Sequence, residues 1–227
     1  MIYYSGLAVL LPVTVYFVLI KNPLINGGEQ SGEMLWKKHA VSPAVPLFRY
    51  DFLFMYLANF LYMAAEMGIA TWITEFYMKA GTKGDGDGMR YLSLFYIGIT
   101  IGRIIGSVFV DKLGRRKSIL FGAAGALSCI LTGVFGPPSF RVFAAVSGVF
   151  CSVIFPTVTA VISGLPEGNC GRIQGFYFAC GGLGGMFGPW IMGVVSDYCG
   201  IKWGMILGGI FLAGILVIFF KMRYFRI

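Results

Sequence analysis

The chain is short of charge. Only 12% of its 227 residues are Asp, Glu, Lys or Arg, about half the share of a soluble domain. Against this stand 57% from the set AVILMFWYC, 21 Phe among them. So little charge beside so many large apolar side chains excludes both an ordinary soluble globule and a disordered chain. Histidine is nearly absent: His39 sits alone beside Lys37 and Lys38 in a polar stretch, with no second ligand, so no metal site is expected. The cysteines, Cys129, Cys151, Cys170, Cys180 and Cys199, lack any CxxC spacing and indicate neither a disulfide framework nor a metal cluster. There is no nucleophile and base set, and GGLGG at 181–185 lacks the preceding strand and following Gly-Lys-Ser/Thr of a phosphate loop. No cofactor is implied, and the chain does not read as an enzyme. The net charge of +8 is spread over short gaps between apolar runs rather than gathered on one polar face, which argues against nucleic acid.

What the chain has is long apolar runs. A bilayer core about 30 Å thick needs about 20 apolar residues as helix. Seven stretches qualify, near 3–20, 52–78, 91–110, 118–136, 141–164, 173–196 and 203–220. None alternates apolar with polar as a transmembrane strand would, so the expected fold is an all-α membrane protein of seven spans. The first run lacks the basic start and small-residue cleavage site of a signal peptide and is taken as a span.

The gaps after the odd-numbered spans carry most of the basic residues, including Lys112, Arg115, Arg116 and Lys117, whereas the opposite side holds Lys79, Lys83, Arg90, Arg141 and Lys202. By the positive-inside rule the N-terminus lies outside and the C-terminus in the cytoplasm. Residues 21–49, with NPLINGGEQSGE and SPAVP, form a polar stretch without a core pattern, read as a cytoplasmic linker. The expected organisation is an isolated helix at 1–20, the linker at 21–49, a six-helix unit at 50–221 and a cytoplasmic tail at 222–227.

That unit contains an internal echo. GSVFVDKLG ends the second span of its first triplet and GVVSDYCG the second span of its next, so Asp-x-x-Gly recurs with Asp111 and Asp197 86 residues apart. Two successive three-span units lie in opposite orientations, which is the inverted repeat of many secondary transporters.

The run GRIIGSVFVDKLGRRKS, Gly102 to Ser118, resembles the signature of the major facilitator superfamily: a Gly, an Asp, a second Gly and basic residues on a short cytoplasmic loop. Gly106, Asp111, Gly114, Arg115, Arg116 and Lys117 match it. The resemblance implies that residues 50–221 form one 3+3 inverted-repeat half, the C-terminal one, and that a missing N-terminal half is needed for function. It also implies that Gly106, Asp111, Gly114, Arg115 and Arg116 form a conformational latch. FLYMAAEMGIATWITEFY, Phe60 to Tyr77, is similar to the first helix of that half in the fucose, galactose and hexose proton symporters, through Tyr62, Glu66 and Trp72. The implied function is sugar:proton symport across the plasma (inner) membrane by alternating access. The alternatives are a carrier for a non-sugar solute or drug and a seven-span membrane receptor.

Asn59, Tyr62 and Glu66 fall at i, i+3 and i+7, on one helix face. A charge near the centre of a span costs at least about 2.5–3.5 kcal/mol, so Glu66 is expected to face a cavity and to work. With Trp72, Gln174 and Tyr177 these residues form the candidate substrate and proton pathway, and Arg103 is a possible charge partner. Tyr77 is read as an interfacial aromatic. Glycines at Gly98, Gly102 and Gly106, at Gly181 and Gly185, and at Gly204 and Gly208 allow close helix approach.

Overall fold

The computed structural model describes residues 50–79, 87–163 and 170–221, the side chains of Asp51, Asp87, Ser107, Asp111 and Cys170 excepted. The expected first span, the linker and the tail lie outside these residues.

Every regular element is helical. α1 runs Tyr50–Lys79, α2 Asp87–Leu113 and α3 Arg115–Phe135. A 3-10 turn at Pro138–Arg141 leads into α4, Val142–Cys151, followed by α5, Ile154–Ser163, α6, Cys170–Cys199, and α7, Ile201–Lys221. Among the described residues, five helical stretches are long and apolar enough to cross a membrane: Phe52–Lys79, Arg115–Phe135, Pro138–Ser163, Gly171–Cys199 and Ile201–Lys221. α2, with 27 residues, is about 40 Å long at 1.5 Å per residue.

The run expected as one helix over 141–164 is interrupted at Ser152 and Val153. Pro156 has no N–H to give the carbonyl of Ser152. The hydroxyls of Ser152 and Thr157 bond back to the carbonyls of Val149 and Val153, both at 2.6 Å, which holds the backbone of the break in place.

Both Asp-x-x-Gly repeats end in a left-handed glycine, Gly114 with φ 82° and Gly200 with φ 93°. At each, the glycine N–H closes the preceding helix, on Val110 O at 3.0 Å and on Ser196 O at 2.9 Å. The next helix begins at the following residue. Only glycine adopts this backbone without strain, so the tetrapeptide is a helix-to-helix corner.

Helix packing follows an exchange between the two triplets. α1 packs chiefly on α6 and α7, and α4 packs on α2 and α3, while α3 meets α7. Each triplet's first helix thus lies against the second and third helices of the other. The α2 glycine stripe faces α4 and the break: a Cβ on Gly106 would stand 2.7 Å from Val153 Cγ2, and one on Gly98 3.1 Å from Val149 Cγ2. On α6 the tight contact with α1 runs through Gly181, Gly184 and Gly188 rather than through Gly185. A Cβ on Gly188 would stand 2.5 Å from Ala64 Cα, whereas one on Gly185 would meet only the side chains of Met67 and Met63, at 3.5 and 4.0 Å. The crossing follows i, i+3, i+7 spacing, and Gly185 lies one residue, about 100° around the helix, off that line.

Candidate functional site

α1 is the most enclosed of the long helices, and it brings polar groups inside. Tyr56, Asn59, Tyr62 and Glu66 are buried, with Glu66 only 5% exposed. They occupy one stripe because steps of three, three and four residues return to the same side of a helix. The Asn59 amide donates to the carbonyl of Tyr177 on α6 at 2.7 Å. Its own Oδ1, and the hydroxyls of Tyr56 and Tyr62, are buried without a hydrogen-bond partner. An unmade hydrogen bond of this kind costs about 1–3 kcal/mol. Three on one helix face mark a polar file rather than ordinary core.

The Tyr62 hydroxyl lies beside the Glu66 carboxylate one turn on, and Arg103 of α2 is within electrostatic reach of both. The Tyr62 ring stacks on Phe155 at 6.1 Å, and Phe155 stacks in turn on Tyr177, also at 6.1 Å. The Tyr177 hydroxyl is 3.3 Å from Thr159 Oγ1. Phe155 and Thr159 stand on α5 after the helix break, Phe155 against Tyr62 of α1 and Thr159 against Tyr177 of α6. Cys151, at the end of α4, is buried and within electrostatic reach of Glu66.

The structure thus brings together Asn59, Tyr62, Glu66 and Tyr177, with Arg103 within electrostatic reach, and engages Trp72 and Gln174 elsewhere. Trp72 donates its indole N–H to the carbonyl of Pro189 at 2.8 Å. Its ring covers Gly193, where a Cβ would stand 2.7 Å from Trp72 Cζ2. It is a clasp between α1 and α6. Gln174 donates to Ser163 Oγ at 3.3 Å, at the junction of α5 and α6. Arg103 is exposed and lines a groove of about 370 Å³ with Gly106, Val153, Pro156 and Thr157. Tyr77, expected at the interface, is fully buried and donates to the carbonyl of Arg141, its ring stacked on Tyr91 at 3.5 Å. Its polar end is satisfied by protein rather than by water.

Of the latch residues, Gly106 is buried against Val153 and Gly114 forms the corner, while the Asp111 side chain is outside the described residues. Arg115 is exposed. Arg116 donates from Nε to Phe219 O at 3.0 Å and from Nη2 to Phe220 O at 3.2 Å. It caps the C-terminus of α7, where orphan carbonyls and the negative helix end favour a cation.

Tyr56, Phe155, Thr159 and Cys151 were not singled out from the sequence. Tyr56 lies three residues before Asn59 on the same stripe, a signal that was legible. The other three depend on how α4 and α5 meet α1. Among the described residues, no group of three His, Cys, Asp or Glu could hold a metal ion.

A sequence profile of the Major Facilitator Superfamily matches residues 55–226. The chain belongs to this superfamily. It is accordingly a multi-pass membrane transporter chain, and the receptor alternative falls away. Among superfamily relatives, it is 23% identical over 200 residues to a glucose/galactose transporter of Brucella abortus, covering 83% of this chain and 45% of that one. It is 25% identical over 210 residues to the staphylopine export protein of Staphylococcus aureus, covering 92% and 47%. The chain spans between about a third and a half of the length of such relatives. The fold is shared with the fucose:proton symporter of E. coli, at a TM-score of 0.72 and 17% identity, over 96% of this chain and 54% of that structure.

Proposed function

We propose that this chain is the C-terminal half of a sugar:proton symporter of the plasma (inner) membrane, completed by an N-terminal half and working by alternating access. The exchange of helices between triplets and the paired glycine corners support the 3+3 inverted-repeat reading. The likeness to a glucose/galactose transporter and to the fold of a fucose:proton symporter supports sugar and proton.

The observation that carries the coupling role is the burial of Glu66 at 5% exposure with the buried Tyr62 hydroxyl beside it. A solute standing against this bundle touches side chains exposed on it, and Asn59, Tyr62 and Glu66 are not. Without a helix movement, what reaches Glu66 is a proton or a water molecule. Asn59, Tyr62 and Glu66 therefore act as the proton side of the pathway, with Arg103 as the charge that biases it. The sugar meets the bundle elsewhere. Proton binding at Glu66 and solute binding are linked through the conformation they share.

The test is Glu66→Gln in the complete transporter, which mimics the protonated carboxyl. Gradient-driven accumulation of labelled sugar is lost, while exchange of labelled for unlabelled sugar persists. Accumulation driven by an imposed pH difference in the variant would remove Glu66 from the coupling role. A carrier for a non-sugar solute is the second reading, favoured by the likeness to the staphylopine exporter. Hexoses and staphylopine offered to the same vesicles separate the two.

A further inference from the structure

α2 carries Ser93, Tyr96, Thr100 and Arg103 at i, i+3, i+7 and i+10, and all four are exposed. At about 100° per residue they form one polar stripe, with exposed Ile97 and Ile104 on one side of it and buried Ile99 on the other. Lipid has no hydrogen bonds to give such a stripe. Ser93 and Thr100 donate their hydroxyl protons to their own helix, to Met89 O at 3.0 Å and Tyr96 O at 2.9 Å, so what they offer outward is oxygen lone pairs. Arg103 offers the reverse. Its guanidinium makes no hydrogen bond or ion pair to a described residue. It lines the groove of about 370 Å³ whose other wall carries Pro156, Thr157 and Ala160 of α5. That volume falls in the range of small-ligand sites, about 300–1,000 Å³.

We infer that Arg103 and Thr100 contact the transported solute, and that this solute is an acidic sugar, its carboxylate on the Arg103 guanidinium and a hydroxyl donating to Thr100. The inference rests on the reading of Glu66 as the coupling group and deepens it by naming the charge of the solute. The groups that face Glu66 are the Tyr62 hydroxyl on its own helix, Arg103 on α2 and the Cys151 thiol on α4. Arg103 is the charged one. With Glu66 ionised, carboxylate and guanidinium balance. A proton on Glu66 leaves the guanidinium as a lone cation at membrane depth, where charge is costly. A carboxylate on the solute restores the balance, and arginine receives it through two parallel hydrogen bonds. Proton and solute then favour each other's binding, and the coupling is reciprocal. The loaded and the empty site both cross the membrane without net charge, whereas a neutral sugar leaves the loaded site carrying an unanswered cation.

The complete transporter, reconstituted in vesicles, is offered labelled glucuronate or labelled glucose. Under an inward proton gradient with the potential clamped to nothing, glucuronate accumulates several-fold above glucose. An inside-negative potential, set by valinomycin and potassium at equal pH, drives no glucuronate accumulation. Arg103→Gln removes the preference for glucuronate, Arg103→Lys keeps part of it, and Thr100→Val raises the KM for glucuronate several-fold. Glucose accumulated as strongly as glucuronate by the unaltered transporter, a comparison that needs no variant to fold, overturns the inference and leaves sugar:proton symport standing. Glucuronate uptake driven by the potential alone does the same, as does a preference that survives Arg103→Gln. Accumulation of neither sugar removes the inference and the symport reading together.

Discussion

Gly114 and Gly200 stand 86 residues apart and turn the chain in the same way: each has a positive φ, each closes a helix with its N–H, and each is followed at once by the next helix. Each lies three residues after an aspartate, Asp111 and Asp197. A substitution at either glycine meets no neighbour, since an added Cβ has nothing within 4 Å. Gly114→Ala and Gly200→Ala therefore report backbone strain alone, about 1–2 kcal/mol each. Asn, which takes a positive φ with ψ near about 45°, gives no relief at Gly114, where ψ is 146°. Thermal unfolding in detergent measures both; unchanged stability of either Ala variant would contradict a strain origin.

The α6 contact with α1 gives a contrast within one glycine-rich segment. Gly188→Ala forces the new methyl against the Ala64 backbone, and Gly182→Ala meets nothing. The first destabilises by about 1–3 kcal/mol, in the range of overpacked cores, while the second is neutral or mildly stabilising for a helical position. Protease resistance of the reconstituted protein distinguishes them.

Trp72 can be separated from solute binding. Trp72→Phe keeps a ring over Gly193 and loses the bond to Pro189, for about 0.5–1.5 kcal/mol. Trp72→Ala also opens a cavity and costs about 3–5 kcal/mol. For a clasp, both losses show in stability, and the Phe variant leaves the KM of the complete transporter unchanged. A raised KM in the Phe variant with unaltered stability would instead place the indole at the solute.

Arg116→Gln removes a charge-assisted cap from α7. Such bonds contribute about 1.5–3 kcal/mol, and the loss is local, so amide exchange near Phe219 and Phe220 quickens while α1 is unaffected. Arg115→Gln, at an exposed position, leaves that exchange unchanged. The latch proposed for Asp111 is tested separately by Asp111→Asn in the complete transporter. Cysteine accessibility shifts on the two faces without loss of insertion; identical labelling would leave the basic loop a topological role only.

Much of this was legible because lipid simplifies the code. Apolar run length locates the helices, and the stripe of Asn59, Tyr62 and Glu66 follows from spacing along one helix. The partners of that stripe were not legible. Phe155 and Thr159 follow a break in the helix, and periodicity reads through a break that keeps its apolar character. Trp72 and Gln174 carry the same residue types as a sugar site, and only their bonds to Pro189 and Ser163 show that each is engaged by protein. The family resemblance groups Arg116 with Asp111, and it gives no sign that the guanidinium also meets a helix end 103 residues further on.

The exchange of first helices between the triplets also sets the order of events at the ribosome. Asn59 and its partner Tyr177 are 118 residues apart. At 5–20 residues per second, that separation is roughly 6–24 s of synthesis. For most of it α1 carries Asn59 without the α6 carbonyl that receives its amide. Lipid offers that amide no hydrogen bond, so this helix waits in the care of the insertion machinery until α6 and α7 arrive. A chain stopped after α5 leaves α1 accessible to crosslinking from the translocon, and extension through α7 releases it.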